Sequence, residues 1–136
     1  MKSKNVFLSI TSFVLLFTFN TIGAQTAKQT SSPKKESNIE VIQFHSEHRC
    51  MTCNKIESMA RETVKTFPDI TFSLVNVDDK KNAAKAEQFE AAGTALFVYN
   101  RKTGKKKDLT DFAFMNAGNK EKFMAGLKKE INQFEN

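Results

Sequence analysis

Residues 39–68 read IEVIQFHSEHRCMTCNKIESMARETVKTFP, and the change of period inside that stretch decides the fold. Ile39 to His45 is short, β-branched and mostly apolar, which suits a strand covered on both faces better than one with a wet side. After the loop SEHR, Ile56, Met59, Ala60, Thr63, Val64 and Phe67 recur at helical spacing until Pro68 stops the run. The stretch therefore predicts a central strand over 39–45 and a helix over about 51–66, with Cys50 and Cys53 at the junction.

Downstream, ITFSLVNV at 70–77 alternates, with Ile70, Phe72, Leu74 and Asn76 on one side and Ser73, Val75 and Val77 on the other. It predicts a second strand, parallel to the first because a helix intervenes. The lysine- and alanine-rich segment 80–91 is rich in helix formers but has a weak apolar face, so a short surface helix is expected. ALFVY at 95–99 is a third strand, and the turn signal from Asn100 to Gly104 leads to an antiparallel fourth strand near Leu109. The run FAFM at 112–115 is expected to pack under that strand or the next loop rather than to form an apolar patch for a partner. Asn119 can cap a last helix in which Phe123, Leu127, Ile131 and Phe134 share a face. The order is β-α-β-α-β-β-α, an α/β domain.

Upstream, Lys2 and Lys4 precede an apolar run from Val6 to Phe19 and a polar exit ending in Gly23 and Ala24. That layout predicts a signal peptide over 1–24 and a periplasmic or secreted domain; the run falls short of the roughly 20 residues that span a bilayer. Residues 25–37 are polar, contain Pro33 and are expected to be a flexible linker. Residues 38–136 then hold a single core, as the chain length of 136 suggests. Removing 1–24 would lower the net charge from +6 to +4. The lysines at 105–107 flank Gly104 in a turn, and no basic stripe with interleaved aromatics is present, so a nucleic-acid surface is not expected. Weak attraction to an acidic partner or to anionic lipid at the membrane periphery is what the remaining charge allows. The sequence does not define an oligomeric state.

Cys50 and Cys53 are the two cysteines of the chain. A staple across so small a loop restrains few unfolded conformations and is poorly placed for stability. As a redox pair the placement suits chemistry: a helix amino end lowers the pKa of Cys50, Arg49 adds positive charge, and Cys53 lies one turn on as resolving thiol. A third reading is metal binding, since His45, His48, Cys50 and Cys53 fall within nine residues. Two thiolates and an imidazole suit Cu(I) or Zn(II), with His48 the better placed histidine because it lies in the loop.

The element order and FHSEHRCMTCNKIE at 44–57 resemble the thioredoxin-like superfamily without its extra amino-terminal β-α unit. The resemblance implies a four-stranded mixed sheet in the order 2-1-3-4 with helices on both faces. FHSEHRCMTCNKIESMARE at 44–62 together with DLTDFAFMNAGNKEKF at 108–123 resembles a narrower group of small exported bacterial proteins labelled ArsF-type, nitrophenyl compound nitroreductase subunit, although nothing here resembles a flavin site. Two departures stand out. The family places a cis-proline before the third strand, facing the thiols, where this chain has Gly93 and Thr94. It also carries a buried acid six residues before the first cysteine, a place that by count falls to Phe44, leaving His48 or Glu47 as substitutes.

The resulting expectation is an exported thiol–disulfide oxidoreductase acting on a protein thiol or disulfide. Cys50 is its nucleophile and Cys53 its resolving thiol, supported by Arg49, His48, Gly93 and Thr94, with no cofactor beyond the disulfide. The alternative is a binding protein for Cu(I), Zn(II) or arsenite through Cys50, Cys53 and His48, which the missing proline favours.

Overall fold

A computed structural model of the protein describes residues 37–135. The signal peptide over 1–24 and all but the last residue of the linker over 25–37 lie outside the described residues. In chain order the domain comprises β1 (Ile39–His45), α1 (Met51–Val64), β2 (Thr71–Asn76), a 3-10 turn (Lys80–Asn82), α2 (Ala83–Gln88), β3 (Ala95–Asn100), β4 (Lys106–Asp108), α3 (Thr110–Asn116) and α4 (Lys120–Glu135). The sheet order is β2-β1-β3-β4, as the resemblance implied. β1 runs parallel to β2 and antiparallel to β3, and β3 pairs antiparallel with β4. Among the described residues no helix is long and apolar enough to cross a membrane.

The apolar character of β1 follows from its place between two strands and two cores. Ile39 and Val41 face one side, where they join Ile56, Ala60, Leu96, Val98, Phe123, Leu127 and Ile131 beneath α1, α3 and α4. Ile42 and Phe44 face the other, where Val75, Phe89 and Phe97 complete a second cluster. There the Phe44 ring lies 5.3 Å from Phe89 and 5.8 Å from Phe97, in tilted and edge-on packing that favours aromatic pairs. The weak face of the 80–91 segment is thus enough: Ala86, Phe89 and Ala91 are the residues it buries.

α2 ends in a motif that satisfies its last carbonyls. Ala91 N–H donates to Ala86 O at 2.9 Å and Glu90 N–H to Glu87 O at 3.0 Å. The geometry requires Glu90 at φ 55°, a left-handed conformation that costs a side-chain-bearing residue. Glu90→Gly is therefore expected to stabilise the domain by about 0.5–1 kcal/mol, after the extra backbone freedom of glycine in the unfolded chain is subtracted. Urea denaturation measures it, and a loss of stability would mean that Glu90 makes a compensating contact.

Two local expectations change. The fourth strand is Lys106–Asp108, and Leu109 follows it as a buried residue rather than as part of the strand. A short charged strand at a sheet edge resists pairing with other chains. The lysines at 105–107 are exposed but partnered: Lys105 Nζ lies over the Phe134 ring, Lys106 Nζ over Phe89, and Lys107 pairs with Glu130 at 2.5 Å. The FAFM run is neither strand nor loop but lies within α3. Asp108 Oδ1 accepts from Thr110 N–H at 2.8 Å at its start, Ala113 and Asn116 turn inward, and Phe112 packs on Phe123 at 5.7 Å. Phe114 and Met115 point outward. Apolar residues on every side of so short a helix hide its period, which is why the element order gains one helix over the expectation.

Candidate active site

The site lies where β1 hands the chain to α1. The connecting loop is held from the residues that follow β2: Val77 N–H donates to His45 O at 2.8 Å, and Glu47 N–H donates to Asp78 Oδ2 at 2.7 Å. His45 Nδ1 and Ser46 O are 2.8 Å apart, and Ser46 Oγ donates to His48 O at 3.2 Å. Cys50 then takes an extended conformation as the N-cap of α1, and Cys53 N–H donates to its Sγ at 3.1 Å. No acidic residue occupies the first turn of α1, so nothing there offsets the positive amino end. The same N–H that meets the sulfur would stabilise a thiolate once the bond is reduced.

Cys50 and Cys53 form a disulfide, and their surroundings differ. Cys50 is exposed, whereas Cys53 is 6% exposed. Thr94 Oγ1 donates to Cys53 Sγ at 3.3 Å, bringing the residue ahead of β3 to the cysteines. Its neighbour Gly93 is half-buried, with open space where a Cβ would stand.

The place beneath the pair belongs to Gln43, which counting along the sequence missed. Phe44 does not take the acid's role, because strand alternation turns it into the aromatic cluster on the opposite face. Gln43 is fully buried, and its Nε2 donates to Cys53 O at 3.2 Å. A polar residue inside an otherwise apolar strand was the available signal. Glu47 and His48 are both exposed in the loop.

Arg49 is where the expectation put it, next to Cys50, but it does not stand alone. It pairs with Glu57, which also accepts from Arg61 Nε at 2.8 Å. Partial burial by itself would raise the Glu57 carboxyl; the hydrogen bonds and charges of Arg49 and Arg61 outweigh it and hold the group below its ordinary value of 4.5. A depressed carboxylate contributes stability that is present above its unfolded value and lost as pH falls through the lower folded value. Wild type is therefore expected to lose its advantage over Glu57→Gln as pH drops below about 4.5, as urea titrations at several pH values would measure. A constant difference across that range would remove the ion pair as its source.

The three-residue ligand set Cys50, Cys53 and His48 is not brought together. The disulfide occupies both sulfurs, His48 is exposed in the loop, and among the described residues no three His, Cys, Asp or Glu side chains are grouped to hold a metal ion.

A mixed sheet in the order β2-β1-β3-β4 carries a Cys-x-x-Cys pair on the amino end of the helix that follows β1. The domain has a thioredoxin-like fold. No family model matches the chain, and no curated protein does. Among solved structures, this thioredoxin-like domain is similar to thioredoxin O2 from Arabidopsis thaliana in its oxidized state, at 22% identity and a TM-score of 0.43 over 54% of this chain. It is also similar to the thioredoxin of Fasciola hepatica, at 23% identity and a TM-score of 0.42, covering 54% of this chain and 67% of that one. Chlamydomonas reinhardtii thioredoxin f2 matches at 20% identity and a TM-score of 0.45, over 64% of this chain and 84% of that one. The chain spans 64% of the length of the Arabidopsis protein.

Proposed function

We propose that this domain exchanges disulfides with protein partners through Cys50 and Cys53. The observation that carries the reading is the asymmetry of the pair: an exposed Cys50 at a helix amino end and a buried Cys53 one turn behind it. In the reduced protein the Cys50 thiolate attacks one sulfur of a partner disulfide, and the partner's other sulfur leaves and takes up a proton. Cys53, having lost its proton, then attacks Cys50 Sγ, which closes the internal disulfide and releases the first partner sulfur as a thiol. Two electrons pass to the partner, and the reverse sequence oxidises it. Met51, 78% exposed between the cysteines, offers an apolar contact beside the reacting sulfur.

The signal-like segment at 1–24 supports action in the periplasm or outside the cell. The likeness of 44–62 and 108–123 to the exported group labelled ArsF-type supports the same location. The test is equilibration with defined ratios of reduced to oxidised glutathione, reading the dithiol fraction by alkylation and mass. One reversible two-electron couple is the expected result; cysteines that do not follow the glutathione ratio would remove the proposal.

A further inference from the structure

The buried amide of Gln43 is half used. A carbonyl can only accept, so the contact to Cys53 O fixes the Gln43 nitrogen toward it and turns Oε1 the other way. That oxygen is buried and finds no hydrogen-bond partner among the described residues. A buried acceptor without a donor is costly, and native proteins leave few of them. The amide is anchored on the very residue whose sulfur changes state. In the disulfide, Cys53 Sγ has no proton to offer; Thr94 Oγ1 approaches it as a donor.

We propose that Gln43 Oε1 is the acceptor for the Cys53 thiol in the reduced protein, and that Gln43 is a positioning residue that biases the couple toward the dithiol. The inference rests on the thiol–disulfide reading of the site. When two glutathione molecules reduce the bond, they give up two electrons and become oxidised glutathione, and one of the two protons taken up resides on Cys53 Sγ. That S–H is a donor the oxidised protein lacks, on the residue to which the amide is anchored and beside an oxygen still without a donor of its own. An amide does not ionise, so it accepts the hydrogen bond without removing the proton, holding Cys53 as a thiol while Cys50 attacks the partner.

Gln43→Met keeps the length and volume of the side chain and removes both amide groups. At a fixed glutathione ratio the variant is expected to show a dithiol-to-disulfide ratio about tenfold below wild type, a shift of about 30 mV. An unchanged ratio in a variant with a reversible couple overturns the role of Gln43 alone. The absence of a reversible couple in wild type overturns the exchange reading and this inference with it, so the two failures are distinguishable. The hydrogen bond itself is read in the infrared S–H stretch of Cys50→Ser, whose single thiol is Cys53. A band below that of the same protein unfolded in urea is expected, moving up when Gln43→Met is added. A band at the unfolded position overturns the proposal, and this readout stands even where Gln43→Met does not fold.

Discussion

Cys50→Ser is expected to slow exchange with a disulfide-bonded peptide by about a thousandfold or more, to the background rate. Cys53→Ser, by contrast, is expected to complete the first step and stop as a mixed disulfide. Cys50 is exposed and its sulfur accepts the N–H of Cys53 at the helix start, so it is reachable, and the same N–H would stabilise the thiolate once the bond is reduced. At 6% exposure, Cys53 is screened from a partner and can reach only the sulfur already engaged. Serine is itself a favoured N-cap, so Cys50→Ser compared with reduced wild type isolates chemistry from folding. Mass spectrometry of the peptide reaction distinguishes the variants. Adducts on Cys53 in the Cys50→Ser protein, or none in Cys53→Ser, would reverse or remove the assigned roles.

Phe44→Ala is expected to cost about 3–5 kcal/mol, the range for truncating a buried aromatic ring. Phe44 is 0% exposed and packs against Phe89 and Phe97, which themselves meet at 5.1 Å. Removing it leaves a cavity on the α2 face that the paired strands cannot close. For a domain of this size the melting temperature should fall by about 15–30 °C. The control is Phe114→Ala, at a ring that is 42% exposed, where a change of only about 0.5 kcal/mol is expected. Equal losses in the two variants, measured in urea with the disulfide intact, would mean that the second core does not hold the sheet as described. A Phe44→Asp change is likewise expected to act as a folding defect and not to supply an acid near Cys53, because that side chain leaves the sheet on the far side from α1.

Much of this architecture was legible from near neighbours along the chain. The strand over 39–45 matched β1 from end to end, since its apolar run is a direct record of burial on both faces. The helix after it ran two residues shorter than the spacing suggested, because Phe67 packs against the core from beyond the helix end rather than from within it. The resemblance, not a local pattern, pointed to Thr94, whose hydroxyl reaches Cys53 Sγ. What failed was counting across a loop. The distance in residues from Cys50 pointed at Phe44, but the loop's length decides which strand residue lies under the helix, and strand alternation then decides which face it presents.

The amino-acid sequence by itself determined the order of strands and helices apart from α3, the cap position of Cys50 and the spacing that puts Cys53 a turn behind it. These depend on period, capping and turn chemistry between residues a few positions apart. Only the tertiary structure decided that Gln43 sits beneath Cys53, that Thr94, 41 residues on, touches its sulfur, and that Glu57 holds Arg49. Those contacts arise from which strands become neighbours and how a helix lies across them, and no local pattern encodes the side chain that a distant backbone will bring within hydrogen-bonding range.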